Sequence, residues 1–385
     1  MLGLMAVRGC VVAPVVAVGA LLWAGALHGS ARAQGTPRAQ TVASGLQHPW
    51  AVAFLPEGGY VVTERPGRLR VVELDGRLRP PVQGLPEIAA GGQGGLLDVI
   101  TDADFARNRL IYFCFSEPGP GMGSSTALAR ARLSDDRQRL EDVKLIFSQR
   151  PKVASTLHFG CRIVERRLDG QPDGTLYLTL GERFSRRDDA QKLDNHHGKI
   201  VRVGKDGSVP ADNPFVGRAG ALPEIWSYGH RNAQGATLAP DGTFWMHEHG
   251  AQGGDEINLP QPGKNYGWPL VSFGVNYDGT PIGTGRSEGP GMAPPLHHWT
   301  PSIAPSGMAF LSSARYGPTW QGNLFVGSLK FQHLGRIELK GGRVVAEHRL
   351  LEDLGARIRD VRQGPDGLLY VLTDSASGRL IRLQP

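Results

Sequence analysis

Val361-Arg-Gln-Gly-Pro-Asp-Gly-Leu-Leu-Tyr-Val-Leu372 reads as a β-hairpin: a short run, a Pro-Asp-Gly turn, then an apolar run. Proline presets the φ that a turn's second residue needs, and glycine supplies the positive φ that follows. The unit recurs as Trp50-Ala-Val-Ala-Phe-Leu-Pro-Glu-Gly-Gly-Tyr-Val-Val and as Ala236-Thr-Leu-Ala-Pro-Asp-Gly-Thr-Phe-Trp. Weaker copies run from Leu96-Leu-Asp-Val to Leu110-Ile-Tyr-Phe, from Arg162-Ile-Val to Leu176-Tyr-Leu-Thr-Leu, and from Gly307-Met-Ala-Phe to Asn323-Leu-Phe-Val. Six copies over residues 41–385 allow about 57 residues each, room for a four-stranded blade and its loops. No long segment has helical period. The expectation is an all-β, six-bladed β-propeller of four-stranded antiparallel blades, forming a single domain over residues 34–385.

Composition agrees. Gly 53 and Pro 28 in 385 residues suit a turn-rich β protein and argue against helical bundles. The first 33 residues read as a cleaved export signal, with a retained membrane anchor as the alternative: Arg8, an apolar run from Val11 to Leu27, and Ala31-Arg-Ala33 as the cleavage pattern. A periplasmic or secreted product follows, with no membrane span in the mature chain. In that oxidising setting Cys114 and Cys161 are candidates for a disulfide, although sequence leaves their proximity open. Formal charge is +6 for the whole chain, without a Lys/Arg-dense block, which argues against nucleic acid as a partner.

Reading backward from each turn to the start of its first strand gives His48, Gln93, His158, Arg231 with Asn232, and the pair Arg357 and Arg359. Structural repeats would carry one small or apolar residue there. Differing polar groups at one register suggest a ligand site at the axis. Arg357 and Arg359, two apart on a strand, share a face and repel unless an anion lies between them. Pairing with Asp360 and Glu352 on a solvated edge is the plainer reading. Together with Lys330 and Arg231 they suggest an acidic ligand. His196-His197 and His297-His298 lack a third ligand at zinc spacing. Glu248-His-Gly-Ala-Gln-Gly-Gly-Asp-Glu-Ile-Asn suits calcium, or is an ordinary acidic turn. Residues 183–199 and 272–300 are expected to be long loops on one face.

The block Pro223-Glu-Ile-Trp-Ser-Tyr-Gly-His-Arg-Asn-Ala-Gln-Gly, then Gly253-Gly-Asp-Glu-Ile-Asn-Leu-Pro and Gly263-Lys-Asn-Tyr-Gly-Trp-Pro, resembles the soluble aldose sugar dehydrogenases that use pyrroloquinoline quinone (PQQ). Gly92-Gln-Gly-Gly-Leu-Leu-Asp-Val, His158-Phe-Gly, Gly327-Ser-Leu-Lys, Arg357-Ile-Arg-Asp-Val-Arg and Leu369-Tyr-Val-Leu-Thr-Asp extend the resemblance along nearly the whole mature chain. It implies a six-bladed propeller that oxidises aldoses to lactones, with His158 as general base and Arg231 stabilising charge on the cofactor. Gln93, Arg231, Asn232, Tyr277, Lys330, Arg357 and Arg359 would hold the quinone. The carbonyls of Gly250 and Ala251 would hold a calcium on it, and Glu256 and the Tyr266 carbonyl a second, structural calcium. Residue 157 is Leu where the glucose dehydrogenase branch has Asp, removing one group that would orient the histidine, and residue 183 is Arg where that branch has Gln. The sugar and the electron acceptor stay open. Two rivals are a calcium-dependent propeller lactonase, which would need inward carboxylates around its metal, and a secreted binding propeller without catalysis.

Overall fold

A computed structural model describes residues 37–385. The expected signal, residues 1–33, lies outside the described residues. Six antiparallel sheets follow one another along the chain. Their first strands are Pro49–Phe54, Leu96–Thr101, Gly160–Leu168, Ala233–Leu238, Pro305–Phe310 and Ile358–Gln363, one from each sequence repeat. Each of these strands packs against the next and the sixth against the first, closing a ring about a central axis. This is the six-bladed propeller, with four-stranded blades; in the first blade the outermost place shrinks to a bridge between Val72 and Leu78.

The ring closes by a long-range pairing. Arg38–Leu46 forms the outer edge of the sixth blade beside Gly378–Gln384, so the two ends of the described chain share one sheet. That arrangement gives the sixth blade a strand from the opposite end of the chain and leaves no gap between last blade and first. Between blades the inner and second strands bury their apolar faces; Phe113, Phe115, Ile163 and Leu178 lie in one such layer, and Val62, Phe325, Leu369 and Val371 in another. Each side chain of this size contributes about 1.5–3 kcal/mol when fully buried.

Cys114, on the second strand of the second blade, is bonded to Cys161 on the inner strand of the third, a cross-blade disulfide with Cα atoms 5.8 Å apart. The 183–199 and 272–300 segments meet: Arg187 Nη1 donates to Asn276 Oδ1 at 3.2 Å. The second segment is less irregular than expected, because His297–Trp299 is the outer strand of the fourth blade. Backbone pairing with Asp255–Asn258 takes up its amides, a contact that local sequence does not reveal. Among the described residues no helix is long and apolar enough to cross a membrane.

Candidate active site

In an antiparallel hairpin the start of the first strand and the end of the second lie side by side. Pairs such as Pro49 with Glu64, Gly160 with Leu180, Ala233 with Glu248, Pro305 with Ser328 and Ile358 with Thr373 therefore crowd one end of the propeller. A cavity of about 530 Å³ opens there. Gln93, Asn232, Arg357 and Arg359 reach it from strand entrances; Arg65, His249, Lys330 and Asp374 reach it from strand exits.

His158 and Arg231 adjoin the lining residues Phe159 and Asn232. The His158 ring is buried, its side chain 5 % exposed, with Nδ1 3.0 Å from Glu182 Oε1. Its backbone amide donates to Gln93 Oε1 at 2.8 Å, so the glutamine fixes the main chain that carries the base. Burial lowers the His158 pKa most; Glu182 opposes that, and the Arg231 and Arg183 guanidiniums add to the lowering. The imidazole is therefore neutral at neutral pH. Phe184 meets the ring edge-on, centroids 5.3 Å apart.

Arg231 is buried. Its Nη1 donates to the carbonyl oxygens of Gly250 at 2.6 Å and His249 at 3.2 Å, and its Nη2 to the Tyr277 hydroxyl at 3.2 Å. Asn232 Oδ1 accepts from the Gly160 amide at 3.1 Å, tying the third blade to the fourth beside the histidine. Arg359 Nη2 donates to Asp374 Oδ2 at 2.9 Å and Arg357 Nη2 to the same oxygen at 3.3 Å. His48 Nδ1 stands 3.2 Å from Asp374 Oδ1. Burial alone would raise the Asp374 pKa, but Arg359 foremost, then His48 and Arg357, holds it well below the usual carboxylate range.

That pairing corrects the electrostatics expected of the two arginines. The anion between them is a residue of the chain, Asp374, so they need no ligand to be organised. Nor is Asp360 their partner: it binds Arg162 at 2.8 Å and Arg362 at 3.1 Å in a buried network with Asp98.

The glucose/sorbosone dehydrogenase family model matches residues 46–382. The chain belongs to that family. It is 44 % identical over 375 residues to an aldose sugar dehydrogenase of Escherichia coli, spanning 97 % of each chain. A crystal structure of a glucose dehydrogenase, 50 % identical, superposes with a TM-score of 0.86 over 91 % of this chain and 100 % of that one. A PQQ-bound aldose sugar dehydrogenase from Streptomyces coelicolor, 28 % identical, gives 0.73 over 90 % and 98 %. As a member of the glucose/sorbosone dehydrogenase family the protein is an oxidoreductase.

Against that family background, the expected site residues fall into three groups. Gln93, Asn232, Lys330, Arg357 and Arg359 line one cavity, with His158 and Arg231 beside it. Tyr277 and Ala251 lie instead in an adjoining groove of about 740 Å³, which Lys330 also borders. Gly250, Glu256 and Tyr266 line a third, small cavity together with Glu248 and Arg231. Among the described residues no three His, Cys, Asp or Glu side chains cluster to hold a metal. Tyr277 is 64 % exposed and touches the site through Arg231.

Glu182 is absent from the sequence expectation, and Asp374 figures there only as the last residue of a quoted motif, without a role. Both stand just past the end of a second strand, and reading each hairpin through to that point would have found them. Leu157 does not leave the histidine unheld, since Glu182 orients it from the neighbouring strand exit.

Proposed function

We propose that this chain oxidises aldose sugars at the anomeric carbon to lactones, using PQQ and calcium, with His158 as general base. One observation carries the reading: a buried histidine held by a carboxylate adjoins, through Phe159, a cavity lined by Arg65, Lys330, Arg357 and Arg359. Bound there, the quinone supplies a hydride-accepting carbonyl, and calcium supplies positive charge against its oxygens.

The residues fit such a ligand. PQQ carries three carboxylates, and Lys330, Arg357 and Arg359 present donors to the cavity while Gln93 and Asn232 offer amides. Arg231 and Tyr277 would close the side toward the groove. For the metal, the carbonyls of Gly250 and Ala251 would hold a calcium; the Gly250 carbonyl also accepts from Arg231 at 2.6 Å. Glu256 faces Glu248 across paired strands, and burial together with that second carboxylate pushes its pKa up to about 8. Two carboxylates facing each other, Glu248 buried and Glu256 half-buried, suit a cation, with the Tyr266 carbonyl as a further oxygen.

The protein's own part is proton transfer and orientation. Glu182 accepts the Nδ1 proton of His158, leaving the Nε2 lone pair to take the proton of the anomeric hydroxyl as hydride leaves the anomeric carbon. The same carboxylate stabilises the imidazolium that forms. Arg231 lowers the basicity of the ring and offers positive charge where the oxidant gains electrons.

A propeller lactonase would need several inward carboxylates. Among the described residues Asp374 is the single carboxylate of the cavity lining, and both arginines hold it. A binding propeller would not need a His158–Glu182 pair. The leader-like residues 1–33 support a periplasmic or secreted enzyme that passes electrons to an acceptor of unspecified identity. Cofactor-free, EDTA-treated protein should reduce a dye with aldoses only after both quinone and calcium are added; full activity without them, or lactone hydrolysis alone, overturns the reading.

A further inference from the structure

Arg183 lies directly after Glu182, and its side chain is buried, yet it does not line the cavity. Its Nη1 donates to the Leu157 carbonyl and its Nη2 to the Ser155 carbonyl, with Ser124 Oγ a further acceptor at 3.2 Å. The guanidinium stacks on Phe159, 3.5 Å from the ring centroid. The fork thus grips the residues one and three before His158 and the ring of the residue after it.

The two segments are pressed together by their backbones as well. The Arg183 amide faces the His158 carbonyl at 3.4 Å, and a Cβ on Gly181 would come within 2.0 Å of that oxygen. His158, Arg183 and Phe184 hold φ values of 51°, 64° and 63°, in the left-handed region that L side chains seldom occupy. Such conformations persist only where surroundings over-determine them. Here the forked hydrogen bonds and the stack are those surroundings.

Stability alone does not account for this arrangement. Arg183 Nε is buried without a partner, and burial drags the guanidinium's pKa down to about 9, so placing a cation here is costly. Among the described residues no carboxylate stands within ion-pair distance of it, and the charge of the adjacent Glu182 offsets the burial only in part. What it does achieve is local to the base: Glu182 sets the direction of the His158 ring while Arg183 sets the main chain from which the ring projects.

We propose that Arg183 is a positioning residue for the general base, fixing the 155–159 backbone and keeping a fixed positive charge behind the His158 imidazole. The inference rests on the reading of His158 as the base. The charged groups facing the ring are Glu182, Arg231 and Arg183, one opposing and two disfavouring the imidazolium. Removing the Arg183 charge therefore raises the basicity of His158, and more of the base is protonated at a given acid pH.

The test uses full-length protein loaded with PQQ and calcium, and apo protein for the spectroscopy. Arg183→Gln should lower kcat about 10- to 100-fold, the effect of a small misplacement of a reacting group, with KM for the sugar and quinone affinity within about threefold. The acid limb of kcat should move to higher pH. In apo protein labelled at its histidines, the NMR resonance that His158→Ala removes should titrate at higher pH in Arg183→Gln than in wild type. Arg183→Lys keeps a charge without the fork, so its kcat should fall while its acid limb stays nearer wild type. Coincident His158 titrations with unchanged kcat overturn the proposal, as does loss of kcat only in step with quinone affinity and melting temperature. If neither variant folds, Arg183 is a residue of the fold and the proposal falls. If His158→Ala itself leaves turnover intact, it is the base assignment that fails.

Discussion

Replacing Arg359 by alanine separates two roles that the structure assigns to one guanidinium. Its side chain is 11 % exposed and that of Asp374 9 %, so their 2.9 Å contact is nearly shielded from water. Losing one partner of a fully buried pair costs about 3–5 kcal/mol. Here Arg357 at 3.3 Å and His48 at 3.2 Å remain on the carboxylate, and Gln234 Oε1, 3.3 Å from Arg359 Nη1, is a neutral acceptor. The apo protein should therefore lose about 1–3 kcal/mol, the cost of a weakened charged hydrogen bond, and melt at a lower temperature. Repulsion between two unpaired arginines would have predicted unchanged or greater stability.

Quinone affinity should fall about 10- to 150-fold in the same variant, since a charge-assisted hydrogen bond contributes about 1.5–3 kcal/mol. Fluorescence titration of PQQ into calcium-loaded protein reads the first effect and apo melting curves the second. Asp374→Asn completes the cycle by removing the internal anion, so that the apo protein melts lower while quinone affinity holds or rises. The Asp374 carboxyl is depressed from the ordinary 3.8, so its contribution is present above that pH and drains away as pH falls below it. Wild-type melting temperature should decline more steeply than that of Asp374→Asn below about pH 4. Quinone affinity within twofold of wild type in Arg359→Ala refutes the ligand role; an unchanged or raised apo melting temperature refutes the pairing with Asp374.

His158→Ala should cut turnover by about 10²–10⁴ and leave quinone affinity within a few-fold, measured by steady-state dye reduction beside the fluorescence titration. Because burial lowers the histidine below its ordinary 6.5, kcat should stay level at neutral pH and fall only at more acid pH; a midpoint above 6.5 would contradict the neutral, buried base. Glu182→Gln, which keeps size but not charge, should lower kcat more than KM, and equal losses in both would point to substrate binding instead. Replacing Cys114 and Cys161 together by alanine should cost about 2–4 kcal/mol in denaturant unfolding, given a separation of 47 residues, and a loss below about 1 kcal/mol would mean that the cross-blade bond contributes little.

How much of this was legible beforehand depended on distance along the chain. Turn chemistry is local: Pro-Asp-Gly at 240–242 and 365–367 declares its own hairpin, and hairpins repeated six times leave few architectures besides a closed ring of blades. Strand entrances are also local, and so His158, Gln93, Arg231, Asn232 and the two arginines stood out as polar groups at one register.

What the tertiary structure alone decided are the partners of those groups. Glu182 follows His158 by 24 residues, and Asp374 is 326 residues from His48, so their proximity depends on closure of a hairpin and of the whole ring. The Cys114–Cys161 bond and the pairing of Arg38–Leu46 with Gly378–Gln384 depend on the same closure. Residue type and turn spacing announce which side chains point to the axis, because backbone conformation is set within a few residues. Which charge neutralises which, and therefore which cations remain free for a ligand, is set by packing between blades, and a one-dimensional pattern carries no record of it.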